Sequence, residues 1–328
     1  RRAAIVAGDG DEQVAAELAD LLQQAGVAVT TRVVSSAECR QPFALLPELY
    51  AWLAAEQLGR DDLVLVAGSH DLTQIGGFVA ATYQHGIALI RMPTTLAGMA
   101  GGMVGGMITL PHTDCAVGML YHPRLVWADA AILTRTSRPE ARAGWAHAIQ
   151  YAMLEQALVP GETTTAPLFD TLEQQVELLR RYEPEALLAL IRRCTALKAH
   201  VAAADERERG APGMLLQFGF TVGNAAHSAA PRLTQDEALA IGMAAETRLA
   251  VERNLAQPPV ARRLEGLLGR FGLPVAVPNG MAPALLEYLQ AGIAHDTARW
   301  VLPRGIGRAA VASGITVSDL RRALAAER

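Results

Sequence analysis

The amino-acid sequence predicts a parallel α/β domain in the first half of the chain and an all-helical domain in the second. In the first half, short apolar runs alternate with segments of helical periodicity, which is typical of a parallel sheet with crossover helices. From about Phe169 onward, strand-like runs are few and long amphipathic segments follow one another. The polar stretch Val159 to Pro167, with Gly161 and three threonines, is the predicted linker. We therefore expect domains at 1–158 and 159–328.

Each element follows from its local pattern. In the first half we predict strands and helices at these segments: strands Ala3 to Ala7, Val27 to Val34, Leu63 to Ala67 and Ile87 to Ile90, and helices Glu12 to Gln24 and Leu45 to Glu56. In the second half, the long amphipathic segments predict helices at Pro184 to Glu206, Gln235 to Asn254 and Pro283 to Ala291. Ser318, followed by Asp319, predicts the N-cap of a closing helix that ends at Ala326.

Composition narrows the class of protein. The chain has 328 residues, 51% of them hydrophobic, which is enough for a large core. Its net charge of −4 shows no basic excess, so we expect no nucleic-acid partner. The cysteines Cys39, Cys115 and Cys194 are odd in number and widely spaced, which argues against a disulfide framework and for a reducing cytoplasm. None lies in a CxxC pair, so a cysteine zinc site is not expected.

One uncharged segment has the length of a membrane helix. Met92 to Leu110 contains no charged residue and has GxxxG spacings. Pro93 and five glycines make the segment a poor helix former, so they favour a glycine-rich loop. Because no signal peptide is visible either, we expect no membrane partner and a cytoplasmic location.

The same segment carries a family resemblance. Residues 93–107 read PTTLAGMAGGMVGGM and resemble the active-site loop PTTLLAQVDSSVGGK of 3-dehydroquinate synthase and related sugar phosphate cyclases. Other blocks match in order along almost the whole chain: GGFVAATYQHGI (76–87), RAGWAHAIQYA (142–152), ALKAHVAAADERE (196–208), LLQFGFTVGNAAH (215–227), DEALAIGM (236–243) and LPRGIGRA (302–309). The resemblance implies a Rossmann-like N-terminal domain, a helical C-terminal domain, an active-site cleft between them and a homodimer.

The resemblance also implies an NAD site, which the sequence keeps only in part. Gly68 matches the first glycine of the family's GGGVVGD turn, where a helix N-terminus can receive a pyrophosphate. Positions near the nucleotide that are retained or partly retained are Asp11, Glu38, Gly68, Thr94 and Thr95. NAD is therefore a candidate cofactor. The alternative is a Rossmann-like layer that keeps its turns for folding alone.

The metal site implied by the family has lost its ligands. In the family a Glu and two His residues hold a catalytic zinc. By position, the Glu is His147, the first His is Phe220 and the second is Gln235 in this sequence. Because Phe has no donor atom, and one His with one Gln is a weak ligand set, we expect no zinc. His227, two helical turns after Phe220, is the residue from which a rewired site would be built.

The groups that bind the phosphorylated substrate are also replaced. Only Lys198 retains its family identity, whereas Met107, Cys115, Gly213 and other uncharged residues occupy the remaining anchor positions. His147 is the best candidate for a general acid or base because its ordinary pKa lies near neutrality. The predicted catalytic residues are His147, Lys198, Asn224 and Gln150.

Apolar residues take the place of the lost charges. Methionine adapts to irregular spaces, and a pocket with few polar groups suits an apolar small molecule. The predicted pocket residues are Met99, Met103, Met107, Phe220, Gln235 and His227. The alternative is a cleft that has collapsed into core packing.

Three functions remain open from the sequence. The leading hypothesis is a metal-independent cyclase, lyase or isomerase of bacterial specialised metabolism that acts on an apolar or weakly anionic intermediate and no longer makes dehydroquinate. The second is a non-catalytic paralogue that binds or stabilises a partner enzyme. The third is an ordinary 3-dehydroquinate synthase that uses NAD and zinc.

Overall fold

The computed structural model describes residues 1–102, 104–111, 117–135, 144–161, 166–278, 280–294 and 300–325. The chain divides into two compact units, Arg1–Thr136 and Ser137–Arg328. The helix Trp145–Leu158 precedes the linker that the sequence predicts, and it belongs to the second unit.

The first unit is built on a five-stranded parallel sheet, as predicted. Its strands are β1 (Arg2–Gly8), β2 (Ala28–Val34), β3 (Leu63–Gly68), β4 (Ala88–Pro93) and β7 (Leu125–Val126). Their order across the sheet is β2-β1-β3-β4-β7, and each neighbouring pair is parallel. The short strands β5 (Met107–Thr109) and β6 (Gly118–Leu120) form a separate antiparallel pair.

Helices cover this sheet because the crossovers between parallel strands bring apolar helix faces onto it. They are α1 (Glu12–Gln24), α2 (Ser36–Cys39), α3 (Pro42–Ala55) and α4 (His70–Thr82). Helix α4 packs closely on β3, since a Cβ atom at Gly76 would lie only 2.5 Å from a methyl carbon of Val66. Side chains from α3, α4 and the central strands form the core of this unit.

The uncharged segment Met92 to Leu110 is not one continuous helix. It begins at the end of β4, forms a π-helical turn at Gly98–Gly102 and continues into β5. Among the described helices, none combines the length and apolar character that a bilayer span requires. The glycines therefore break the segment into short elements, as their low helix propensity predicts.

The second unit is mainly helical. Its helices are α5 (Trp145–Leu158), α6 (Leu168–Arg180), α7 (Pro184–Ala204), α8 (Ala211–Leu215), α9 (Phe220–Ala229), α10 (Gln235–Glu252), α11 (Pro258–Arg270), α12 (Ala282–Ala294) and α13 (Val317–Ala325). Helices α9 and α10 approach most closely at Gly242, where a Cβ atom would lie 1.8 Å from the carbonyl oxygen of Gly219. A second hydrophobic core, in which α9, α10, α12 and α13 take part, lies within this unit.

Two expectations for this unit need correction. An antiparallel hairpin of β8 (Trp300–Gly305) and β9 (Arg308–Ala312) interrupts the predicted all-helical order. The hairpin turns at Gly307, whose φ of +75° suits glycine. The predicted cap at Ser318 is also wrong, because α13 already begins at Val317. Thr316 and Asp319 instead exchange backbone and side-chain hydrogen bonds of 3.0 and 3.2 Å.

Candidate active site

The candidate nucleotide residues of the first unit meet at the carboxyl edge of the parallel sheet. The hydroxyl of Thr94, just after β4, donates a hydrogen bond of 3.1 Å to Oδ2 of Asp11, just after β1. A Cβ atom on Gly8 would lie 2.9 Å from that same carboxylate oxygen and 3.8 Å from Cα of Gly68. The ends of β1 and β3 therefore approach one another closely, and Gly8 and Gly68 are both buried there.

The other two candidate nucleotide residues have local roles. Glu38 closes a capping box on α2, where its carboxylate accepts from the backbone N–H of Ser35 at 2.7 Å and from its hydroxyl at 2.6 Å. These hydrogen bonds, with a smaller contribution from Arg32, lower the pKa of Glu38. Thr95 accepts a hydrogen bond of 3.3 Å from the N–H of Gly98 at the start of the π-helical turn.

This edge of the sheet has glycines at the strand ends, which a dinucleotide-binding turn requires. Glycines at β1 and β3 allow a pyrophosphate to approach, and Ser69 caps the N-terminus of α4 behind β3. Gly8, Asp11, Gly68 and Thr94 are the residues that would hold such a cofactor, and a nicotinamide bound there would supply hydride transfer.

The second unit brings His147 and Asp236 together. His147 lies in the first turn of α5 and Asp236 in the first turn of α10. Nδ1 of His147 lies 2.8 Å from Oδ1 of Asp236, with the side chains 23% and 11% exposed. The ring is not aligned for a linear hydrogen bond to this oxygen, so the contact is chiefly an ion pair.

The surroundings set the protonation of His147. Burial is the largest single effect and lowers the pKa of His147, but the negative charge of Asp236 and its polar contact with the ring together outweigh burial and hold the pKa above its ordinary value of 6.5. Lys198 opposes Asp236 and is close enough to lower the pKa of the imidazole. The imidazole of His147 is therefore shielded from solvent, and it binds a proton more readily than a free imidazole does.

The ring of Phe220 lies beside that of His147. The two ring centroids are 6.3 Å apart in an edge-on arrangement at 65°. Phe220 is the first residue of α9, and Gln235 is the exposed first residue of α10. Three positions that the family resemblance assigns to zinc therefore hold an ion-paired imidazole, a phenyl ring and a surface amide.

This donor set does not fit a zinc site. Zinc in proteins takes thiolate, imidazole or carboxylate ligands, usually three or four of them. Phe220 supplies no donor, and Asp236 is directed at the imidazole ring. Within the described part of the chain, no group of three or more His, Cys, Asp or Glu side chains is placed to hold a metal ion.

Lys198, the cationic anchor that the family resemblance predicts, is paired. Its Nζ forms a short contact with Oε1 of Glu208, with side chains 11% and 25% exposed. Lys198 lies on α7, and Glu208 follows the end of that helix. The arrangement places a shielded Lys–Glu pair within electrostatic range of His147.

Gln150 is engaged in holding the backbone ahead of Phe220. Its amide nitrogen donates to the carbonyl oxygens of Leu216 at 3.0 Å and Phe218 at 2.6 Å. Its position one turn after His147 on α5 ties that helix to the segment that leads into α9. The geometry gives Gln150 a positioning role.

The remaining candidates are distributed differently. Asn224 is exposed on α9, whereas His227 directs Nδ1 at the carbonyl oxygen of Leu233 at 2.9 Å. Met99 is buried in the first unit, with 3% of its surface exposed. Met103 lies outside the described residues, and only the backbone of Met107 is described, within β5.

Sequence reasoning missed Asp236 and Glu208. Asp236 directly follows Gln235, the residue at the second histidine position, and a carboxylate next to a lost metal ligand was the available signal. Glu208 ends the block 196–208 that begins beside Lys198, but the loop that returns it to Lys198 is not visible in the sequence pattern.

Comparison with known proteins identifies the class. Models of the 3-dehydroquinate synthase N-terminal and C-terminal regions match residues 31–143 and 147–296. A 3-dehydroquinate synthase of Brucella ovis is 33% identical over 322 residues, which cover 93% of this chain and 82% of that protein. One from Nostoc sp. is 32% identical over 93% of this chain and 84% of its own length. The chain belongs to the 3-dehydroquinate synthase family.

Solved structures agree on the fold. A 2-epi-5-epi-valiolone synthase from Streptomyces hygroscopicus, with NAD+ and Zn2+ bound, superposes with a TM-score of 0.85 at 24% identity over 99% of this chain and 90% of that one. A 2-deoxy-scyllo-inosose synthase in complex with carbaglucose-6-phosphate, NAD+ and Co2+ gives 0.85 at 21% identity, over 98% and 89%. These likenesses confirm the predicted Rossmann-like and helical architecture, that of the sugar phosphate cyclases.

Proposed function

We propose that this protein is a metal-independent cyclase, lyase or isomerase that acts on an apolar or weakly anionic intermediate of bacterial specialised metabolism. The observation that carries the proposal is the His147–Asp236 pair, with Nδ1 and Oδ1 2.8 Å apart, at the position where the family resemblance expects a zinc ligand. An imidazole backed by a carboxylate moves protons at neutral pH without a metal. The likeness to cyclases supports the reaction class.

The proposed chemistry is proton transfer by His147. Asp236 faces Nδ1, which leaves Nε2 as the nitrogen that meets a substrate. Nε2 accepts a proton from a C–H or O–H group of the substrate, and the electron pair released forms the new bond or double bond. The same proton then returns to the leaving group or to a carbonyl oxygen. Asp236 stabilises the imidazolium that exists between these steps.

The neighbours of the pair fit this role. Phe220 gives the imidazole ring an apolar neighbour, with 6.3 Å between the ring centroids. We further propose that Lys198, which is paired with Glu208, stabilises an enolate or a carboxylate that develops during the reaction. Proximity within a preorganised site supplies about 7 to 11 kcal/mol in the best intramolecular reactions, so a ring closure does not require a Lewis acid.

The sharpest test restores the family's metal ligands. The triple variant His147→Glu, Phe220→His and Gln235→His is compared with the wild type after both are purified with added Zn2+. Native mass spectrometry should show one bound zinc per subunit in the variant and none in the wild type. The same spectra give the subunit count, for which we propose a dimer. Stoichiometric zinc in the wild type would overturn the proposal.

The names of the relatives favour a second candidate, an ordinary 3-dehydroquinate synthase, because identity of 31 to 33% extends over most of the chain. That candidate predicts phosphate release from the family's heptulosonate phosphate in the presence of NAD+ and Zn2+. Our proposal predicts no release by the wild type. A genuine 3-dehydroquinate synthase assayed in parallel serves as the positive control, and steady turnover by the present chain would establish the second candidate.

A further inference from the structure

Arg91 is a buried cation in the first unit that the proposed chemistry does not use. It lies in the middle of β4, between β3 and β7, where it pairs in register with Val66 and Val126. Only 1% of its surface is exposed, which makes it one of the largest fully buried side chains described. Arginine is almost never buried to this extent without a partner.

The guanidinium has no anionic partner among the residues that the structure describes. Its Nε and Nη2 atoms are both buried and make no hydrogen bond there. Burial alone lowers its pKa, to about 10, so the side chain remains charged at neutral pH. A charge buried without compensation is destabilising, and proteins retain such groups mainly where function requires them.

The two unpartnered nitrogens form one edge of the guanidinium. Nε–H and one N–H of Nη2 point in the same direction, and this edge matches the two oxygens of a carboxylate or a phosphate. Nη2 packs closely against Gly77 on α4, because a Cβ atom there would lie 2.6 Å from Nη2 and 3.0 Å from a methyl carbon of Ile108.

A second unsatisfied polar atom lies on the same helix face. Gln74 precedes Gly77 by three residues on α4, so the two side-chain positions are neighbours. Its Nε2 contacts Nε2 of His70 at 3.2 Å, but its Oε1 is buried and makes no hydrogen bond among the described residues.

We propose that Arg91 is an oxyanion-binding residue, whose Nε and Nη2 atoms bind two oxygens of a carboxylate or phosphate group. The site lies wholly within the first unit. It is independent of the His147–Asp236 chemistry and survives if the proposed function fails.

Thermal unfolding of the full chain tests this assignment with inorganic phosphate and with acetate, each against sodium chloride of equal ionic strength and after overnight incubation. The wild type should show a melting temperature that rises with one anion or both. A response to phosphate alone assigns a phosphate ligand, and a response to acetate alone assigns a carboxylate. No response to either anion would overturn the proposal.

Variants separate binding from a structural role. Arg91→Met removes the unpaired charge, so without added anion it should melt at a higher temperature than the wild type, and it should lose the anion response. Arg91→Lys keeps the charge without the two-pronged edge, so it should keep only a weakened response. Arg60→Met, at an exposed position, is the matched control and should respond like the wild type. A lower melting temperature for Arg91→Met without anion would mean that Arg91 has an internal partner, and the proposal would fall.

Discussion

Asp236 holds the imidazole of His147 from a different helix, with 2.8 Å between Oδ1 and Nδ1. Both residues lie in the first turns of their helices, α5 and α10. The positive end of a helix dipole favours a carboxylate there and disfavours an imidazolium. The charge of Asp236 is therefore needed to raise the pKa of His147 against the effects of burial and of the helix dipole.

Asp236→Asn should lower the pKa of His147. The substitution removes the charge that offsets desolvation, while burial and Lys198 continue to disfavour the imidazolium. An NMR titration that follows the imidazole ring protons of His147 measures the change. Exposed His200 provides an internal reference in the same spectra. An unchanged pKa of His147 would show that Asp236 does not control its protonation.

The same pair should make stability depend on pH. The pKa of His147 is raised in the folded state above its ordinary 6.5. The stabilisation of the folded state by protonation of His147 is therefore fully present below about pH 6.5. It is lost as the pH rises through the pKa that His147 has in the folded state. Urea unfolding between pH 5.5 and 8.5 should show this loss for the wild type, and the loss should shrink in Asp236→Asn. Equal pH dependence in both proteins would contradict the linkage.

His147→Ala should abolish most of the activity on the true substrate. Loss of a general acid or base typically lowers the rate about 10²- to 10⁴-fold. The matched control His200→Ala changes an exposed histidine on α7 and should leave the rate unchanged. The pH profile discriminates further, because Asp236→Asn should shift the limb assigned to His147 toward lower pH. Full activity of His147→Ala would remove this residue from the mechanism.

Glu246 should stabilise the start of α9, the helix that begins with Phe220. Its carboxyl oxygens accept hydrogen bonds from the backbone N–H groups of Gly219 at 2.7 Å and Val222 at 3.1 Å. Glu246→Ala leaves these donors unpaired, at a cost of about 1 to 3 kcal/mol for each buried group. Denaturant unfolding measures this loss. Glu246→Gln, which retains an acceptor oxygen, should be milder, and equal stability of all three proteins would contradict the role.

Ionisation of Glu246 should also make the stability of the fold depend on pH. Burial raises its pKa to about 8 from an ordinary 4.5, although backbone N–H groups, including that of Gly219, act in the opposite direction. Its contribution to stability is therefore present below about 4.5 and is lost as the pH rises through about 8. Glu246→Gln should remove this part of the dependence. Unfolding free energies at pH 6 and pH 9 test the difference.

Gly242→Ala should separate α9 from α10. The added Cβ would lie 1.8 Å from the carbonyl oxygen of Gly219, so the backbones must move apart. Overpacking of this kind costs about 1 to 3 kcal/mol. The control is Gly266→Ala on α11, where nothing lies within 4 Å of the new atom. The control should gain up to about 1 kcal/mol of stability from helix propensity. Thermal unfolding of both variants measures the two changes in stability. Equal changes would contradict the close contact between Gly242 and Gly219.

The fold was largely predictable because periodicity is local. Helix α1 occupies the predicted segment, Glu12–Gln24, and β3 extends the predicted run by one residue to Gly68. The hairpin β8–β9 escaped prediction because its first strand is an apolar run buried on both faces, without the alternation that identifies a half-buried strand. The N-cap of α13 is Thr316, two residues before the predicted Ser318. Ser and Thr are both good N-cap residues, so only the observed start of the helix distinguishes the two positions.

The sequence by itself determined the family, most of the strands and helices of the first unit, and the loss of the zinc-ligand identities at Phe220 and Gln235, because each depends on residue type and near neighbours. Only the tertiary structure decided which groups replace them. His147 and Asp236 are far apart in the chain and meet through the packing of α5 and α10. Arg91 is likewise one arginine among many in the sequence, and folding alone buries its charge. Through-space contacts, desolvation and charge pairing are properties of the packed molecule, and no local pattern encodes them.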